Sequence, residues 1–318
     1  MKIVVLDGHT LNPGDNSWDA VGALGDLVIY PRSKAAEVPG RIGDAEIVIT
    51  NKAALSAAVL AQVPNVKYIA VTATGYNVVD VASARTRGIP VSNVPEYGTH
   101  AVAQFVIALL LELCHRVGLH DKAVHDGEWG RRGDFCFWQS PQTELAGLTL
   151  GIVGLGRIGQ RVAEVAKALG MRVIVPQRAG RSGSPAGFEA LPLEEVFSQA
   201  DAISLHCPLT PETNGLVNRN LLQRMKPTAF LINTARGGLI VEQDVANALR
   251  EGRLAGAALD VVSLEPITDD NPLRNAPNGV LTPHMAWTAL AARKRLMRTT
   301  ADNVAAFLRG APINVVNP

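Results

Sequence analysis

The amino-acid sequence predicts an α/β protein with two Rossmann-like domains, each a doubly wound parallel sheet, and an active-site cleft between the domains. The length of 318 residues is typical of about two domains. In both halves, short apolar runs alternate with helical segments, which is the pattern of parallel strands covered by helices. A Gly-x-Gly-x-x-Gly motif at 154–159 follows a predicted strand and precedes a predicted helix, which is the setting of a dinucleotide site.

The elements of the first domain follow from the alternation within the first 98 residues. Helices are expected at Ala53–Gln62 and Val79–Arg87, where apolar residues recur at helical spacing. Short apolar runs bounded by Gly, Pro and polar residues predict strands. These strands are expected at Ile3–Leu6, Leu27–Tyr30, Ile47–Thr50, Tyr68–Val71 and Pro90–Ser92.

The second domain is entered through a long apolar helix that Thr99 is predicted to cap. Its segment Ala101–Leu113 falls short of the roughly 20 apolar residues of a bilayer span, so we interpret it as a buried helix that suits a subunit interface. Residues 121–144 mix charges, glycines and aromatics, and predict a surface excursion that packs on the domain or on a partner subunit. Strands are then expected at Leu148–Val153, Arg172–Val175, Ala202–Leu205, Ala229–Asn233, Ala257–Val261 and Gly279–Thr282.

One more helix is predicted at Ala289–Leu308. Because it begins past the last strand of the second domain, we expect it to return and cover the first. The predicted boundaries are therefore 1–98 plus 289–318 for a substrate domain, and 99–288 for a dinucleotide-binding domain.

Composition and charge argue against several classes of protein. Thirty basic and 29 acidic residues leave a net charge of +1, which is not the footprint of nucleic-acid or anionic-membrane binding. Cys114, Cys136 and Cys207 form no disulfide or zinc pattern and suit the reducing cytoplasm.

The segment Met1–Asp7 is too short for a signal peptide and predicts a first strand. The histidines are not clustered as metal ligands, so no metal is expected.

Each glycine of the motif is expected to have its own role. Gly154 permits the tight turn, Gly156 lets the backbone approach a pyrophosphate, and Gly159 lets helix and strand pack closely. A helix is expected at Gln160–Leu169, and the free N–H groups at its start are expected to face the phosphates. The motif alone is weak evidence, but its place between a strand and a helix makes it specific.

The residues after the second strand of this domain favour NADP(H) over NAD(H). An acidic residue that binds the ribose hydroxyls is usual about 20 residues beyond the glycines. Pro176, Gln177 and Arg178 stand there instead. Without the acid a 2′-phosphate is not repelled, and Arg178 or Arg181 can hold it through charge-assisted hydrogen bonds. The alternative is that Arg178 is solvated and that the site is indifferent between the two cofactors.

Three polar side chains, Arg236, Glu265 and His284, follow the last three predicted strands. Because parallel strands end on the cofactor side of the sheet, we expect these side chains to converge on the nicotinamide. Arg236 can bind a carboxylate bidentately and polarise a carbonyl. His284 can supply a proton, and Glu265 can stabilise its imidazolium form. Taken singly they could be a helix cap, a surface acid and a core histidine, but their joint position favours a catalytic set.

Five segments occur in one order along the chain: Val153–Gly159, His206–Thr210, Asn233–Gly237, Asp260–Pro266 and Thr282–His284. With these segments the sequence resembles the D-isomer-specific 2-hydroxyacid dehydrogenase family over essentially its whole length. The resemblance implies hydride transfer between the nicotinamide C4 and C2 of a 2-keto or D-2-hydroxy acid. It also implies a homodimer joined through the cofactor domains.

The resemblance further implies roles for single residues. His284 would be the acid/base and pair with Glu265, Arg236 would bind the substrate carboxylate and carbonyl, and Asp260 would orient the nicotinamide carboxamide. Substrate contacts are expected from Asn51, Thr74, Gly75, Tyr76, Arg236 and, reaching from the other subunit, Trp138. Cofactor contacts are expected from Thr99, Gly154, Gly156, Arg157, Ile158, Gly159, Gln177, Arg178, Arg181, His206, Cys207, Pro208, Thr213, Thr234, Ala235, Arg236, Asp260 and His284.

Within the family, Leu6–Asp15, Tyr97–Gln104 and Phe135–Trp138 resemble the bacterial glycerate dehydrogenases, also called hydroxypyruvate reductases. This predicts NAD(P)H-dependent reduction of hydroxypyruvate or glyoxylate to the D-2-hydroxy acid, and the reverse oxidation, with bulkier 2-keto acids left open. Two alternatives also stay open. One is a cofactor-sensing, corepressor-like binding protein, and the other is a dehydrogenase for another anion such as formate or phosphite.

Overall fold

The computed structural model describes residues 1–177 and 187–318, and the chain divides into two compact units. The first unit comprises Met1–Gly98 together with Thr288–Pro318, and the second comprises Thr99–Trp287. Each unit is built on a parallel sheet joined by helices. The predicted fold class of two parallel-sheet α/β domains is confirmed.

Parallel strands in the order β2-β1-β3-β4-β5 form the sheet of the first unit, where the labels follow the chain: β1 (Lys2–Val5), β2 (Asp26–Ile29), β3 (Ile47–Thr50), β4 (Tyr68–Val71) and β5 (Val91–Ser92). Strands β3 and β4 have the predicted bounds, and both are buried at every position. The connections carry the short helices α1 (Asp19–Gly22), α2 (Val38–Ile42), α3 (Ala57–Gln62) and α4 (Val81–Thr86). Helix α3 begins four residues later than predicted, since the Ser56 side chain caps it by accepting the N–H of Val59.

The C-terminal helix, Leu290–Leu308, also belongs to the first unit. Its Phe307 ring stacks on Tyr68 of β4 with 4.4 Å between the ring centroids. Its buried Arg293 binds both carboxylate oxygens of Asp15, at 2.5 and 2.6 Å. Beyond the helix, the N–H of Val316 donates to the carbonyl of Val91 at 2.8 Å, so the chain end lies along β5.

The second unit contains a sheet that has seven strands among the described residues: β6 (Thr149–Val153), β7 (Arg172–Pro176), β8 (Glu189–Leu191), β9 (Ala202–Leu205), β10 (Phe230–Asn233), β11 (Gly256–Leu259) and β12 (Gly279–Leu281). Their order is β12-β11-β10-β9-β6-β7-β8, and all pairs are parallel. The order reverses at β6, which has β7 on one side and β9 on the other. Dinucleotides bind at such a switch point.

Helices flank this sheet: α5 (Thr99–His115), α6 (Val117–His125), α7 (Glu128–Arg132), α8 (Arg157–Ala168), α9 (Leu193–Gln199), α10 (Arg219–Leu222) and α11 (Glu242–Arg250). The apolar side of α5 is buried against α8 and against strands β10 and β11. Within the described residues, no single helix is long and apolar enough to cross a bilayer. The consecutive helices α5 and α6 meet that test only as a pair, by length and composition, and they are bent by 57° where they join.

Strand β8 was not predicted, and the starts of α5 and α8, like that of α3, differ from the predicted positions. Strand β8 is three residues long and not fully buried, so it lacks the apolar run by which the other strands were recognised. Helix α8 begins at Arg157 and not at Gln160, because its first turn includes the last glycine of the motif. Thr99 is the first residue of α5 and not the residue before it.

Candidate active site

The loop between β6 and α8 carries the glycine motif, and its three glycines differ in their surroundings. Gly154 has a φ of +104°, and a Cβ there would lie within 3.0 Å of the backbone of His206 and Cys207. A Cβ on Gly159 would collide with the carbonyl of Gly154, whereas a Cβ on Gly156 would meet nothing within 4 Å. Two glycines therefore allow close packing and the third leaves the backbone open, as a phosphate-binding turn requires.

Two observations test whether these residues fit a nicotinamide dinucleotide. The N–H groups in the first turn of an α-helix have no acceptor within the helix, and the first turn of α8 lies directly after the open Gly156. At the end of β10, the Oγ1 of Thr234 is buried and has no hydrogen-bond partner among the residues that the structure describes. A buried hydroxyl is normally paired, with protein, water or ligand. The residues present fit the dinucleotide.

The end of β7 is the place at which the adenosine ribose is expected. The backbone N–H of Gln177 donates to the carbonyl of Leu191 at 2.8 Å, and its side-chain amide donates to Ala190 at 3.3 Å. Gln177 is exposed, so it can contact a ligand as well. Arg178 and Arg181, on which the preference for NADP(H) depends, lie outside the described residues.

His206 and Cys207 follow β9 and contact the turn at Gly154. The backbone N–H of His206 donates to Val153 at 2.7 Å, and its ring Nε2 lies 2.8 Å from the hydroxyl of Ser204. Burial lowers the pKa of His206 to about 4 and raises the pKa of the Cys207 thiol. Both side chains are therefore uncharged at neutral pH, which suits packing against a nucleotide better than proton transfer.

The turn that follows is held by Thr213. Its hydroxyl donates to the carbonyl of Pro208 at 2.7 Å and accepts the N–H of Thr210 at 2.8 Å. The Thr213 side chain thus shapes the loop at Pro208, whose ring is exposed.

Arg236 lies in a turn that Asn233 shapes from the end of β10. The fully buried Asn233 side chain donates to the carbonyl of Arg236 at 2.8 Å and accepts the N–H of Ala235 at 3.0 Å. The Arg236 guanidinium donates to the carbonyl of Ala235 at 2.7 Å and is otherwise exposed. Gly237 then packs directly on the loop after β11, since a Cβ there would overlap the backbone of Val262.

Glu265 and His284 lie in hydrogen-bond contact beyond the ends of the next two strands. The carboxylate Oε2 of Glu265 lies 2.7 Å from Nδ1 of His284, and both side chains are only partly exposed, at 34% and 25%. An ionised Glu265 can only accept, so Nδ1 carries the proton and Nε2 is left for a substrate. This arrangement can donate a proton to a carbonyl oxygen or take one from a hydroxyl.

Asp260 fixes the loop on which His284 lies. Its buried carboxylate accepts the hydroxyl of Thr282 at 2.6 Å and the N–H groups of Met285 and Ala286, each at 2.8 Å. Its own carbonyl accepts the N–H of His284 at 2.8 Å. The family resemblance implies that Asp260 orients the nicotinamide carboxamide; its positioning of the histidine was not predicted.

The predicted substrate residues of the first unit lie after β3 and β4. Buried Asp7 accepts the N–H groups of Asn51, Lys52 and Ala53, at 2.8 Å for the first and third. The amide of Asn51 donates to the carbonyl of Thr72, while its buried Oδ1 has no partner among the described residues. Sequence reasoning missed this use of Asp7. A lone acid directly after an apolar strand was the available signal, as it was for Asp260.

The loop after β4 contains Thr74, Gly75 and Tyr76. The Thr74 hydroxyl donates to the carbonyl of Val94 at 3.0 Å, which ties this loop to the segment after β5. Tyr76 is 38% exposed.

The segment after α7 exposes two aromatic side chains. Phe135 is 94% exposed and Trp138 is 66% exposed. Within the second unit, Trp138 therefore presents its ring to the surface and not to the core. No group of three His, Cys, Asp or Glu side chains that could hold a metal ion is found in 1–177 and 187–318.

Comparison with known proteins places these features in one family. The model of the D-isomer specific 2-hydroxyacid dehydrogenase, NAD binding domain, matches residues 107–286, which is more than half of the chain. A hydroxypyruvate reductase of Blautia hydrogenotrophica is 50% identical over 100% of both chains. A glycerate dehydrogenase of Methylorubrum extorquens is 40% identical over 88% of each chain. The solved NADPH-dependent glyoxylate/hydroxypyruvate reductase of Sinorhizobium meliloti, in complex with citrate, has a TM-score of 0.85 and 30% identity, covering 100% of this chain and 98% of that one.

Proposed function

Because the chain belongs to the D-isomer specific 2-hydroxyacid dehydrogenase family, we propose that it reduces hydroxypyruvate and glyoxylate to their 2-hydroxy acids with a nicotinamide dinucleotide, and catalyses the reverse oxidation. The observation that carries the proposal is the 2.7 Å contact between Glu265, in the loop after β11, and His284, in the loop after β12. The names of the relatives support the substrates. Neither the corepressor-like protein nor a dehydrogenase of formate or phosphite gains support from them.

The chain's own residues hold the substrate and move one proton. His284 donates a proton from Nε2 to the substrate O2 during reduction and removes it during oxidation. Glu265 stabilises the imidazolium and keeps Nδ1 protonated through the bond of 2.7 Å. A dinucleotide held by these residues would supply the hydride to C2 in reduction and accept it in oxidation. Asp260 holds the loop of His284 in place, through Thr282, Met285 and Ala286.

Arg236 is assigned to the substrate carboxylate and carbonyl oxygen. Its guanidinium is exposed beyond the turn that Asn233 shapes, so the fork of N–H donors is available to a bidentate anion. In the first unit, we assign the substrate carboxylate to backbone N–H groups of Thr74, Gly75 and Tyr76, with Asn51 beside them on the next loop. Trp138 is assigned to the substrate site of a partner subunit.

We assign the dinucleotide to the β6–α8 loop and the ends of the neighbouring strands. The phosphates are assigned to the Gly154–Gly159 loop, where they would accept hydrogen bonds from backbone N–H groups including those of Arg157 and Ile158. The nicotinamide half is assigned to Thr234, Ala235, Arg236, Asp260 and His284. The Thr234 hydroxyl supports this assignment, because it is buried and has no hydrogen-bond partner within 1–177 and 187–318. The remainder of the dinucleotide site is assigned to Thr99, His206, Cys207, Pro208 and Thr213.

NADP(H) is the preferred cofactor in this proposal. The support is the lack of an acid in the sequence after β7, the arginines at 178 and 181, and a relative that is NADPH-dependent. Gln177, Arg178 and Arg181 would bind the 2′-phosphate. Arg178→Ala is expected to weaken NADPH binding more than NADH binding. Equal losses for the two cofactors would contradict the preference.

The function is tested by steady-state kinetics with hydroxypyruvate, glyoxylate and bulkier 2-keto acids, each with NADPH and NADH. We expect the highest kcat/KM for hydroxypyruvate or glyoxylate with NADPH. His284→Ala is expected to lower kcat at least about 100-fold and to leave cofactor affinity intact, because proton transfer typically contributes that much. Tight cofactor binding without turnover of any 2-keto acid would contradict the proposal and favour a cofactor sensor.

We also propose a cytoplasmic homodimer joined through the second unit. Its surface carries the exposed rings of Trp129, Phe135 and Trp138, and exposed apolar area of this kind marks interfaces. The exposed free thiol of Cys136 suits a reducing compartment. Light scattering of the purified protein should give the mass of two chains, and Phe135→Glu should lower it. A monomeric wild-type protein would contradict this assembly.

A further inference from the structure

The loop that carries Glu265 is fastened to helix α11 by one carboxylate. Glu242, the first residue of α11, accepts the N–H of Ser263 at 2.6 Å and the Ser263 hydroxyl at 2.9 Å. It also accepts the side-chain N–H of Asn271 at 2.9 Å. We propose that Glu242 is a positioning residue for the reaction, which acts by holding loop 262–271 where Glu265 reaches His284. The inference rests on the proposed function, since Glu265 has its role there.

The contacts of Glu242 require a carboxylate. Oε1 receives the N–H of Ser263, and Oε2 receives both the Ser263 hydroxyl and Nδ2 of Asn271. Asn271 is not free to turn its amide round, because its Oδ1 accepts the N–H of Leu273 at 3.0 Å. A glutamine at 242 would place an NH₂ group against one of these donors. Only an acceptor at both positions satisfies the set.

Two further contacts carry the effect of Glu242 to the catalytic pair. The N–H of Val262 donates to Oε1 of Glu265 at 3.4 Å, and the backbone of Val262 lies tight against Gly237. Loop 262–271 is thus held on one side by the turn of Arg236 and on the other by Glu242. If the bond from Ser263 is lost, Glu265 samples more positions, and fewer of them orient the imidazole of His284.

Asp244 provides a matched control within the same turn of α11. It has the same charge, but its carboxylate accepts the N–H of Arg219 at 2.9 Å, at the start of α10. Among the residues that the structure describes, the Asp244 carboxylate makes no hydrogen bond to loop 262–271. A variant at 244 therefore reports the effect of removing an acid from the start of α11, and a variant at 242 reports the effect on the loop of Glu265.

The test is a double-mutant cycle in the full-length protein with hydroxypyruvate and NADPH. Glu242→Gln is expected to lower kcat about tenfold, with little change in the KM for NADPH, because the loss falls on proton transfer and not on cofactor binding. In the Glu265→Gln background the same substitution should have no further effect, since coupled residues are not additive. Asp244→Asn should leave kcat unchanged in both backgrounds. Equal losses from Glu242→Gln in the two backgrounds would overturn the proposal.

Amide hydrogen exchange of the cofactor-free protein provides a readout that does not depend on turnover. The N–H of Ser263 should exchange faster in Glu242→Gln and at the wild-type rate in Asp244→Asn. Unchanged exchange at Ser263 would overturn the proposal even if activity fell. A wild-type protein without turnover would defeat the proposed function instead, and the exchange rates would still decide whether Glu242 holds this loop.

Discussion

His284 has a backbone φ of +53°, in the left-handed region that residues with a Cβ seldom adopt. Asp260 offsets the cost of this conformation, because its carboxylate accepts the N–H groups of the two residues that follow the histidine. Its carbonyl accepts the N–H of the histidine itself. A buried acid thus fixes the backbone from which the imidazole reaches Glu265.

Asp260→Asn should lower kcat for hydroxypyruvate at least about tenfold and also lower Tm. The new NH₂ group would face a donor, and a buried group left unsatisfied costs roughly 1–3 kcal/mol. Steady-state kinetics and thermal unfolding measure the two effects. Asp269→Asn is the control, since Asp269 is fully exposed and pairs with Arg274 at the surface. A kcat for Asp260→Asn equal to that of the wild type would disprove the positioning role.

The pH dependence of stability should carry a signature of His206. Burial lowers the pKa of His206 from 6.5 to about 4. Between pH 4 and pH 6.5 the imidazole is therefore protonated in the unfolded chain and neutral in the folded protein. Stability is therefore full above pH 6.5 and falls as the pH decreases toward 4. The free energy of unfolding, measured with urea, should fall between pH 7 and pH 4.5 by up to about 3 kcal/mol more in the wild type than in His206→Gln. An equal fall in the two proteins would contradict this prediction.

At the scale of elements, backbone contacts join the ends of β10, β11 and β12. The N–H of Asp260 donates to Asn233 at 2.9 Å, and the N–H of Thr282 donates to Leu259 at 3.0 Å. Gly237 adds the close approach to Val262. The turns that hold Arg236, Glu265 and His284 therefore form a connected edge of the sheet, in which a shift of one turn moves its neighbour.

Two alanine substitutions should separate packing from ligand binding. Gly237→Ala puts a methyl group into the backbone of Val262, so we expect a lower Tm and a loss of activity. Gly156→Ala meets no atom within 4 Å, so Tm should stay near the wild-type value while dinucleotide affinity falls, because the backbone no longer approaches the pyrophosphate. Thermal unfolding measures Tm, and fluorescence titration with NADPH measures the dinucleotide affinity. A low Tm for Gly156→Ala would contradict this division.

At the scale of the whole molecule, the sequence predicted the fold class and the location of most strands. Strands β3, β4 and β9 begin and end where expected. Strands β6, β10 and β11 are also buried at every position, but each begins or ends one or two residues from the predicted bound. Strand β8 was not predicted, because its three residues pair with β7 at an edge of the sheet and their composition does not indicate a strand. Edge pairing depends on tertiary neighbours that a local pattern does not contain.

The candidate site could be predicted in its chemistry but not in its supports. Arg236, Glu265 and His284 stood out because each is polar, carries a reactive group and follows a strand. The supporting contacts of Asp260, Asn233 and Glu242 join residues that are up to 29 positions apart, and no spacing rule predicts them. Hydrogen bonds to backbone N–H groups also leave no compositional trace, which is why Asp260 was assigned only to the cofactor.

The first unit is assembled from both ends of the chain, and this sets an order of events during synthesis. Asn16 donates to the carbonyl of Arg293, 277 positions away, so the first unit stays unfinished on the ribosome until residues 288–318 have been synthesised. Residues 99–287 are contiguous and are complete earlier, and domains generally fold as units. We therefore expect the fragment 99–287 to fold alone, with a cooperative melt by circular dichroism. The fragment 1–98 should gain its cooperative melt only when a peptide of residues 288–318 is added.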